Sequence, residues 1–373
     1  MSGPGTEADR AWMTRALALA EKGRGRTSPN PMVGAVIVKD GEVVGEGFHP
    51  QAGEPHAEVF ALREAGGRGR GATAYVTLEP CNHHGRTPPC TEALIQAGVS
   101  RVVVGATDPN PLVSGRGLDR LSVAGVAVIH GVLADEAHRL NEAFDHWITT
   151  RRPFVTLKLA TSLDGRIAAG TGKSQWITGA PARARVHQLR AASDAVAVGS
   201  RTALTDDPRL TARDVPGTWN PPLRVVIDST LRVSPYAKAY DAKAPGGALV
   251  ATAAPEDAPA AQVLAARGVA VWSVPGDDGR IDLAALMTRL GARDPGPVTS
   301  LLVEGGGVLA GALLAAGLVD KLVTHVAPVI IGGDGLPAFG PLGLTAPADG
   351  PRFRFEPPVP LGDDVELVAY PAL

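Results

Sequence analysis

The chain has little cysteine, few aromatic residues and almost no net charge. Only two of its 373 residues are cysteine, which excludes the disulfide-rich secreted scaffolds and favours a cytoplasmic location, where thiols stay reduced. With 36 basic and 38 acidic side chains its formal net charge is −2. Proteins that bind nucleic acids or membrane surfaces have a basic surface instead. We therefore expect neither kind of partner.

Long hydrophobic runs are also missing. The most continuous apolar stretch, Val308 to Val319, is shorter than the about 20 residues of a membrane-spanning helix, so it predicts a buried helix. The first ten residues contain no apolar core of a secretory signal. The 45 glycines and 32 prolines follow no fixed period, which argues against collagen-like or solenoid repeats. They suit an α/β protein with many short loops.

Two series of alternating strands and helices follow one another along the chain. In the first series, the Asp40-Gly41 pair predicts a hairpin between strands at Val33 to Val38 and Glu42 to Phe48. Near the end of that series, one uninterrupted helix is predicted over Asp135 to Thr149.

A domain boundary is indicated by Pro153, which follows two arginines after this helix. At about 150 residues per domain, the length also favours two domains. We place them at residues 1–150 and 151–373 and assign both to the α/β class, because strands alternate with helices in each.

The most specific pattern combines His56-Ala57-Glu58 with the two cysteines, Cys81 and Cys90. Catalytic zinc sites use three nitrogen or sulfur ligands and keep a fourth position for water, and one histidine with two cysteines supplies three such ligands. Glu58 lies at a helix start, where its carboxylate can take a proton from water and pass it to a leaving amine. Nucleobase deaminases use such a site. The alternative is two structural cysteines and a surface histidine.

The spacing of the cysteines departs from the usual C-x-x-C of these deaminases. Eight residues, Asn82 to Pro89, separate Cys81 from Cys90. A helix is still predicted to start at Cys90, where the amide dipoles stabilise a thiolate. His83 and His84 lie in the same interval, and we expect them to line the pocket or face solvent, since three ligands are already present.

A glycine-rich turn is the main pattern of the second series. The apolar strand Ser300 to Glu304 runs into Gly305, Gly306 and Gly307, and a helix follows. Bare amides at a helix N-terminus form an anion site, which predicts phosphate binding. The pattern is not G-x-G-x-x-G, and no acidic ribose partner follows about 20 residues later. A tight strand–helix turn without a ligand is therefore the alternative.

Several segments together resemble the bifunctional riboflavin biosynthesis deaminase–reductase family. In the first series they are TSPNPMVG (27–34), GEPHAE (53–58) and TLEPCNHHGRTPPC (77–90), and in the second FVTLKLATSLDGR (154–166), SQWIT (174–178), DDPRLT (206–211) and VVIDS (225–229). The longer cysteine spacing is that family's own variant. The resemblance extends from about Asp9 to Tyr370, with the motifs in the family's order.

The resemblance implies an N-terminal cytidine-deaminase-like αβα sandwich followed by a dihydrofolate-reductase-like α/β domain that uses NADPH. It implies zinc-dependent deamination of 2,5-diamino-6-ribosylamino-4(3H)-pyrimidinone 5′-phosphate. Reduction of the ribosyl chain would then give 5-amino-6-ribitylamino-uracil 5′-phosphate. The family is usually oligomeric through the reductase domain, so we expect a homo-oligomer, most simply a dimer.

The resemblance also implies binding residues. In the deaminase, Asn30 and His49 would contact the pyrimidine and Arg86 the phosphate, an anion that a guanidinium suits. NADPH is expected at Ala160, Trp176, Thr202, Asp206, Ser229, Gly306, Gly307, Val308, Leu309, Ala310, Gly311 and Ala312. The reductase substrate is expected at Ser174, Arg190, Leu210, Arg213 and Glu304, with the two arginines as positive charges for one 5′-phosphate. The candidates for proton transfer are Lys158 and Asp164, with ordinary structural roles as the alternative.

Three other functions stay open at this point. An RNA base deaminase would have C-x-x-C, a basic surface and no second domain, none of which is found. A catalytically inactive binding protein would not need His56, Glu58, Cys81 and Cys90 all intact. The last alternative is a chain in which only one half is active.

Overall fold

The chain divides between Arg151 and Arg152 into two units, in a computed structural model that describes residues 5–82, 89–110 and 113–372. The helices of the first unit are α1 (Glu7–Ala20), α2 (Ala57–Ala65), α3 (Cys90–Gln96), α4 (Arg116–Val123), α5 (Ala134–Leu140) and α6 (Glu142–Thr150). Its strands are β1 (Gly34–Lys39), β2 (Glu42–Phe48), β3 (Thr73–Leu78), β4 (Arg101–Ala106) and β5 (Ala127–His130).

The first unit is a three-layer sandwich around one sheet of order β2-β1-β3-β4-β5. Strand β1 pairs antiparallel with β2 and β3, whereas β3, β4 and β5 are parallel. One sheet face packs against α2, α3 and α4 through Ala61, Leu94 and Leu121. The other face packs against α1 and the start of α5 through Met13 and Leu133. The predicted αβα sandwich is confirmed.

Helix α2 lies unusually close to strand β2. A Cβ atom added at Gly45 would lie 2.1 Å from the carbonyl oxygen of Ala61, and one at Gly47 would lie 2.3 Å from that of Ala57. Only glycine permits this approach of a helix backbone to a strand. Because α2 begins directly after His56 and carries Glu58, the contact fixes both residues relative to the sheet.

Two predictions about this unit have different outcomes. The hairpin is confirmed, since β1 and β2 pair around Asp40 and Gly41, whose φ angles of 53° and 81° suit a type I′ turn. The single helix over Asp135 to Thr149 is wrong, because Asn141 (φ −105°, ψ 20°) divides it into α5 and α6. The side chain of Asn141 bonds to the backbone of Met32, a tertiary contact that helical periodicity does not contain.

The second unit has twelve strands and five α-helices among its described residues. The strands are β6 (Phe154–Ser162), β7 (Arg166–Ala168), β8 (Ala195–Gly199), β9 (Leu223–Ile227), β10 (Ala248–Thr252), β11 (Ala270–Ser273), β12 (Ser300–Glu304), β13 (Lys321–Ala327), β14 (Leu336–Pro337), β15 (Phe353–Phe355), β16 (Val359–Leu361) and β17 (Asp364–Pro371). The helices are α7 (Ala180–Ala191), α8 (Ser200–Asp206), α9 (Pro259–Ala266), α10 (Leu283–Gly291) and α11 (Gly307–Ala315).

A large sheet of order β11-β10-β9-β8-β12-β6-β13-β17-β15 forms the centre of the second unit. Seven neighbouring strands of this sheet are parallel, namely β11, β10, β9, β8, β12, β6 and β13. Strand β17 is antiparallel to β13. Helices α10 and α11 pack on one face of the sheet through Leu286 and Leu313. Helices α9 and α7 pack in the core on the opposite face through Leu264 and Leu189. The predicted dihydrofolate-reductase-like α/β domain is confirmed.

Short elements of the second unit were not predicted, namely α8 and the strands β7, β14, β15 and β16. Each has seven residues or fewer, too short for a reliable periodic pattern. Among the described residues, no helix combines the length and apolar character needed to cross a bilayer.

A buried carboxylate ties α1 to the sheet of the first unit. Asp9 is 1% exposed and accepts hydrogen bonds from Arg101 on β4 at 2.8 and 2.9 Å and from Tyr75 on β3 at 3.0 Å. Its Oδ2 also accepts from the backbone of Thr6 at 2.9 Å. Burial alone would raise the pKa of Asp9, but the bonds from Arg101, Thr6 and Tyr75 outweigh it and hold the pKa well below the usual range.

We expect Asp9→Asn to destabilise the first unit by about 3 kcal/mol at neutral pH, because it breaks a buried charged pair. Since the folded-state pKa of Asp9 is lowered, its stabilisation is present above the unfolded-state pKa of about 4 and is lost as the pH falls below that value. Hydrogen exchange of the β3 and β4 amides at two pH values measures both effects. Equal protection of Asp9→Asn and the unmodified chain at pH 7 would contradict the assignment.

Candidate active sites

The predicted metal ligands of the first unit come together at the ends of three elements. His56 immediately precedes α2, Cys81 lies shortly after β3, and Cys90 is the first residue of α3. The Nδ1 atom of His56 lies 3.2 Å from Cys90 Sγ and 3.6 Å from Cys81 Sγ, and all three ligand atoms lie within 4.8 Å of one another. Both cysteines are free thiols.

This cluster fits zinc. With Zn–N of about 2.0 Å and Zn–S of about 2.3 Å, a tetrahedral site has nitrogen–sulfur edges of about 3.5 Å, close to both distances. A hydrogen bond with Cys90 lowers the pKa of Cys81 to about 4, and His56 contributes to the shift. The same bond, together with burial, raises the pKa of Cys90. Zinc binds the thiolate form of cysteine, so metal binding would displace the proton that the two thiols share.

Glu58 is buried beside the cluster with one unpartnered oxygen. Its side chain lies in the first turn of α2 and is 3% exposed, and no hydrogen-bond partner of its Oε2 atom is found among the described residues. Burial raises the pKa of Glu58, while the charge of His56 opposes the rise. A buried carboxylate with a free lone pair and a raised pKa can both accept and return a proton.

The predicted pyrimidine contacts lie next to the same cluster. Asn30 Nδ2 is 3.1 Å from Nε2 of the buried His49, and the ring of His49 is 5.5 Å from that of His56, centroid to centroid. His49 Nδ1 lies 3.1 Å from the carbonyl oxygen of Pro55. Because a carbonyl only accepts, His49 donates from Nδ1 and receives the Asn30 amide at Nε2, so it is neutral. Burial also lowers its pKa. Three predicted loop residues, His83, His84 and Arg86, lie outside the described residues.

A cavity of about 1750 Å³ opens at the carboxyl ends of β6, β8, β9 and β12 in the second unit. Pockets for a single drug-sized ligand reach about 1,000 Å³, so the cavity has room for a dinucleotide together with a substrate. Its lining includes the predicted NADPH residues Ala160, Trp176, Thr202, Asp206, Ser229, Gly306, Gly307, Val308, Leu309 and Ala312, and the predicted substrate residues Ser174, Arg190, Arg213 and Glu304.

Three residues predicted for this site are not part of the lining. Leu210 is fully buried in the apolar core beneath the cavity, and Ala310 is buried on the inner side of α11. Gly311 faces the backbone of Gly340, because a Cβ there would lie 3.1 Å from two of its atoms. Any contact of Leu210 with a ligand would therefore come from its backbone, which has a φ of 57°.

The glycine turn before α11 fits a cofactor phosphate. Gly306 has φ −77° and ψ 161°, a conformation open to any residue, and a Cβ there would lie 3.5 Å from Thr202 Oγ1, an ordinary contact. Neither packing nor conformation demands glycine at this position, and a side chain would only fill cavity space. At Gly307, by contrast, a Cβ would lie 2.5 Å from the carbonyl oxygen of Pro337, so packing explains that glycine.

Charged residues converge at the β12–β6 side of the cavity. Glu304 pairs in register with Lys158 and accepts two hydrogen bonds from Arg190, at 2.6 and 2.7 Å. Burial opposes ionisation of Glu304, but Arg190 outweighs it and lowers the pKa. Lys158 is 8% exposed and lines the cavity, and its ammonium group makes no side-chain hydrogen bond within the described ranges. Burial lowers the pKa of Lys158 to about 8.

The two arginines predicted to bind one phosphate have different surroundings. Arg190 also donates to the carbonyl oxygen of Thr211, at 3.1 Å, so its guanidinium is largely committed to Glu304 and the backbone. Arg213 is exposed, and its Nη2 lies 3.5 Å from Nε2 of His187, which also lines the cavity. His187 was not among the residues predicted from the sequence. Its spacing of three residues before Arg190 on α7, which places both on one helix face, was the available signal.

Asp164, the second candidate for proton transfer, lies outside the cavity lining. The Asp164 carboxylate accepts hydrogen bonds from Ser162 Oγ and from the backbone of Ile331 and Gly332, and it does not line the cavity. Of the two candidates for proton transfer, only Lys158 therefore lies in the site.

The Trp176 side chain is 72% exposed, and its ring lies 4.7 Å from the guanidinium of Arg183, so it is not part of the core.

Comparison with known proteins identifies the family of the whole chain. The family model described as "Cytidine and deoxycytidylate deaminase zinc-binding region" matches residues 6–106. The family model described as "RibD C-terminal domain" matches residues 153–367. The riboflavin biosynthesis protein RibD of Escherichia coli (strain K12) is 47% identical in an alignment that covers 96% of this chain and 98% of that protein. The chain belongs to the RibD family. The family resemblance is thereby confirmed.

Further relatives agree over almost the full length. RibD of Aquifex aeolicus (strain VF5) is 43% identical, covering 97% of this chain and 98% of that protein. The solved structure of Acinetobacter baumannii RibD, form 2, has a TM-score of 0.87 and 41% identity, and covers 98% of this chain and 99% of that chain. The present chain, as a member of this family, is a bifunctional enzyme of riboflavin biosynthesis, in which a zinc-dependent deaminase is joined to an NADPH-dependent reductase.

We expect Gly306→Ala to raise the dissociation constant of NADPH by about tenfold or more, because a methyl group would occupy space next to the bare amides. Stability should change little, since the new Cβ makes only ordinary contacts. Quenching of tryptophan fluorescence by NADPH and a thermal unfolding scan measure the two quantities. Gly333→Ala is the matched control, because nothing lies within 4 Å of a Cβ there. Unchanged NADPH affinity in Gly306→Ala would contradict a phosphate at this turn.

Proposed function

We propose that the first unit deaminates 2,5-diamino-6-ribosylamino-4(3H)-pyrimidinone 5′-phosphate and that the second reduces the ribosyl chain of the product with NADPH. The observation that carries the first step is the buried Glu58 beside His56, Cys81 and Cys90, with one oxygen that has no hydrogen-bond partner in the described part of the chain. The substrate is supported by a Thermotoga maritima relative of known structure, 38% identical with a TM-score of 0.86, which covers 98% of this chain and 99% of that chain. It is named a diaminohydroxyphosphoribosylaminopyrimidine deaminase/5-amino-6-(5-phosphoribosylamino)uracil reductase.

In the deaminase, His56, Cys81 and Cys90 hold zinc, which supplies Lewis acidity toward water when bound. Glu58 takes a proton from the water that attacks the ring carbon bearing the exocyclic amine. The same carboxyl group then returns a proton to the amine nitrogen, the carbon–nitrogen bond breaks and ammonia leaves. The neutral His49 engages the NH₂ group of Asn30, which leaves the carbonyl oxygen of Asn30 available to a pyrimidine donor.

The phosphate of the deaminase substrate is assigned to Arg86. A guanidinium matches the geometry and charge of a phosphate, and the family resemblance gives this role to the residue at this position. His83 and His84 receive no ligand role, since three metal ligands are already accounted for.

In the reductase, bound NADPH would supply hydride chemistry. Reduction of the ring-opened imine form of the substrate needs a hydride at C1′ and a proton at the attached nitrogen, which converts the C=N bond to a C–N single bond. Gly306 and the amides at the start of α11 hold the pyrophosphate. Ala160, Trp176, Thr202, Asp206 and Ser229, with the other predicted residues of the turn, complete the NADPH site. Lys158 donates the proton, because its ammonium group lines the cavity and makes no side-chain hydrogen bond to the residues that the structure describes.

The reductase substrate binds at the remaining predicted residues. Glu304 is ionised and accepts from the ribose hydroxyls, and Arg190 fixes its orientation. Arg213 binds the 5′-phosphate, since its guanidinium is exposed to the cavity. Ser174 and the backbone of Leu210 complete the contacts.

We also propose a homodimer that forms through the reductase unit in the cytoplasm. Exposed Phe355 on β15 and Val359 on β16, beside β17 at one end of the sheet, support an interface there. The two free cysteines support a compartment in which thiols stay reduced. Light scattering of the purified chain tests the dimer, and a monomer at micromolar concentration would refute it.

We expect Glu58→Gln to keep one zinc ion per chain while ammonia release falls by about 10³-fold or more, because an amide cannot transfer the protons. Cys90→Ser should instead lose the zinc, since a metal ligand is replaced. Metal analysis and an ammonia assay separate the two, and His130→Ala, a histidine outside the cluster, is the matched control. Normal ammonia release by Glu58→Gln would refute the mechanism.

We expect the reductase rate to fall as the pH rises through about 8. Burial lowers the pKa of Lys158 to that value, so the cation that donates the proton is present below it and is lost above it. Lys158→Met should remove this alkaline limb together with most of the activity. NADPH oxidation followed from pH 6 to about pH 10 provides the measurement. An unchanged alkaline limb in the residual activity of Lys158→Met would assign that limb to another group.

A further inference from the structure

Asn141 occupies the junction between α5 and α6, and its backbone is fixed on both sides. Its N–H donates to the carbonyl oxygen of Ala137 at 3.2 Å, and its own carbonyl oxygen accepts from the N–H of Asp145 at 2.9 Å. The side chain is 3% exposed. Asparagine at such a position usually caps the following helix, but here the side chain makes no capping bond to α6. The amide therefore serves another purpose.

That purpose is a two-point contact with the backbone of Met32. The N–H of Met32 donates to Asn141 Oδ1 at 2.7 Å, and Asn141 Nδ2 donates to the carbonyl oxygen of Met32 at 2.9 Å. Met32 precedes β1, which begins at Gly34, so its peptide groups have no strand partner in the described sheet. A carboxamide offers the same donor and acceptor as a peptide group, and thus pairs with Met32 as a neighbouring strand would.

The segment held in this way continues directly into the pyrimidine subsite. Asn30 lies two residues before Met32, and the intervening Pro31 has a fixed φ angle, so a displacement of Met32 is transmitted to Asn30. Asn30 in turn contacts His49, whose ring lies 5.5 Å from the ring of His56. Met32 thus lies between a rigid helix junction and a side chain assigned to the substrate.

We propose that Asn141 is a positioning residue of the deaminase, which holds the backbone of Met32 so that Asn30 is presented to the pyrimidine. This inference rests on the proposed function of Asn30. Asn141 itself touches neither the substrate nor the metal ligands. Its effect is on substrate binding, through the placement of a loop that would otherwise move by tenths of an ångström or more.

The test compares Asn141→Ala, Asn30→Ala and the double variant in the full-length, zinc-loaded protein. We expect Asn141→Ala to raise the KM of deamination by about tenfold, since small displacements of a binding group are costly. Zinc content and the reductase rate of the same preparation should stay unchanged. If Asn141 acts through Asn30, the double variant should be no worse than Asn30→Ala alone, to within about twofold.

Two further variants keep the test informative if Asn141→Ala folds poorly. Asn141→Asp keeps the size and the acceptor but cannot donate to Met32, so we expect the same rise in KM. Tyr75→Phe is the matched control, because it removes one buried hydrogen bond of the same unit, far along the chain from Met32, and should leave the KM unchanged.

Several outcomes would overturn the inference. One is an unchanged deaminase KM in both Asn141 variants, and another is effects of Asn141→Ala and Asn30→Ala that multiply. A KM that rises as much in Tyr75→Phe would reveal a general effect of destabilisation. Ammonia release by the unmodified chain tests the proposed function separately, since its absence would refute that function, whereas failure confined to the variants refutes only the role of Asn141.

Discussion

The close contact of α2 with β2 is the constraint on which the deaminase site depends. Without side chains at Gly45 and Gly47, the helix backbone rests directly on the strand, and this sets where His56 and Glu58 project. Cys81 and Cys90 come from a different strand and a different helix, so they can meet His56 only if α2 has one allowed position. A metal site built from three elements tolerates little error, because ligand distances are fixed to within tenths of an ångström.

Both units place their chemistry where a helix begins after a strand or loop. His56 and Cys90 lie at the starts of α2 and α3, and Gly306 precedes α11. Unpaired amides at helix starts favour negative charge. In the first unit the backbone N–H of Cys90 donates to Cys81 Sγ at 3.4 Å, and in the second unit we propose that the amides after Gly306 bind a phosphate. The same backbone feature thus lies beside the candidate metal ligands of one unit and at the proposed nucleotide site of the other.

The sequence predicted the parts of the structure that depend on local patterns. The Asp40-Gly41 hairpin and the grouping of His56, Cys81 and Cys90 follow from turn chemistry and ligand types, and both are found. The division of a helix at Asn141 was missed, because its cause is a contact with a residue 109 positions away. The commitment of Arg190 to Glu304 was missed for the same reason, since 114 positions separate them. The roles assigned to single site residues remain predictions.

The pair of hydrogen bonds between Arg190 and Glu304 has a consequence for the energetics of reduction. The charges of the two residues are already oriented by the fold and by the carbonyl oxygen of Thr211 before any ligand arrives. In water, solvent dipoles would have to reorganise around each charge that develops during the reaction, and that reorganisation costs free energy. For a substrate bound in this cavity as proposed, the part of the electrostatic field that these two charges supply is a fixed property of the folded chain, since the free energy needed to orient them was spent during folding.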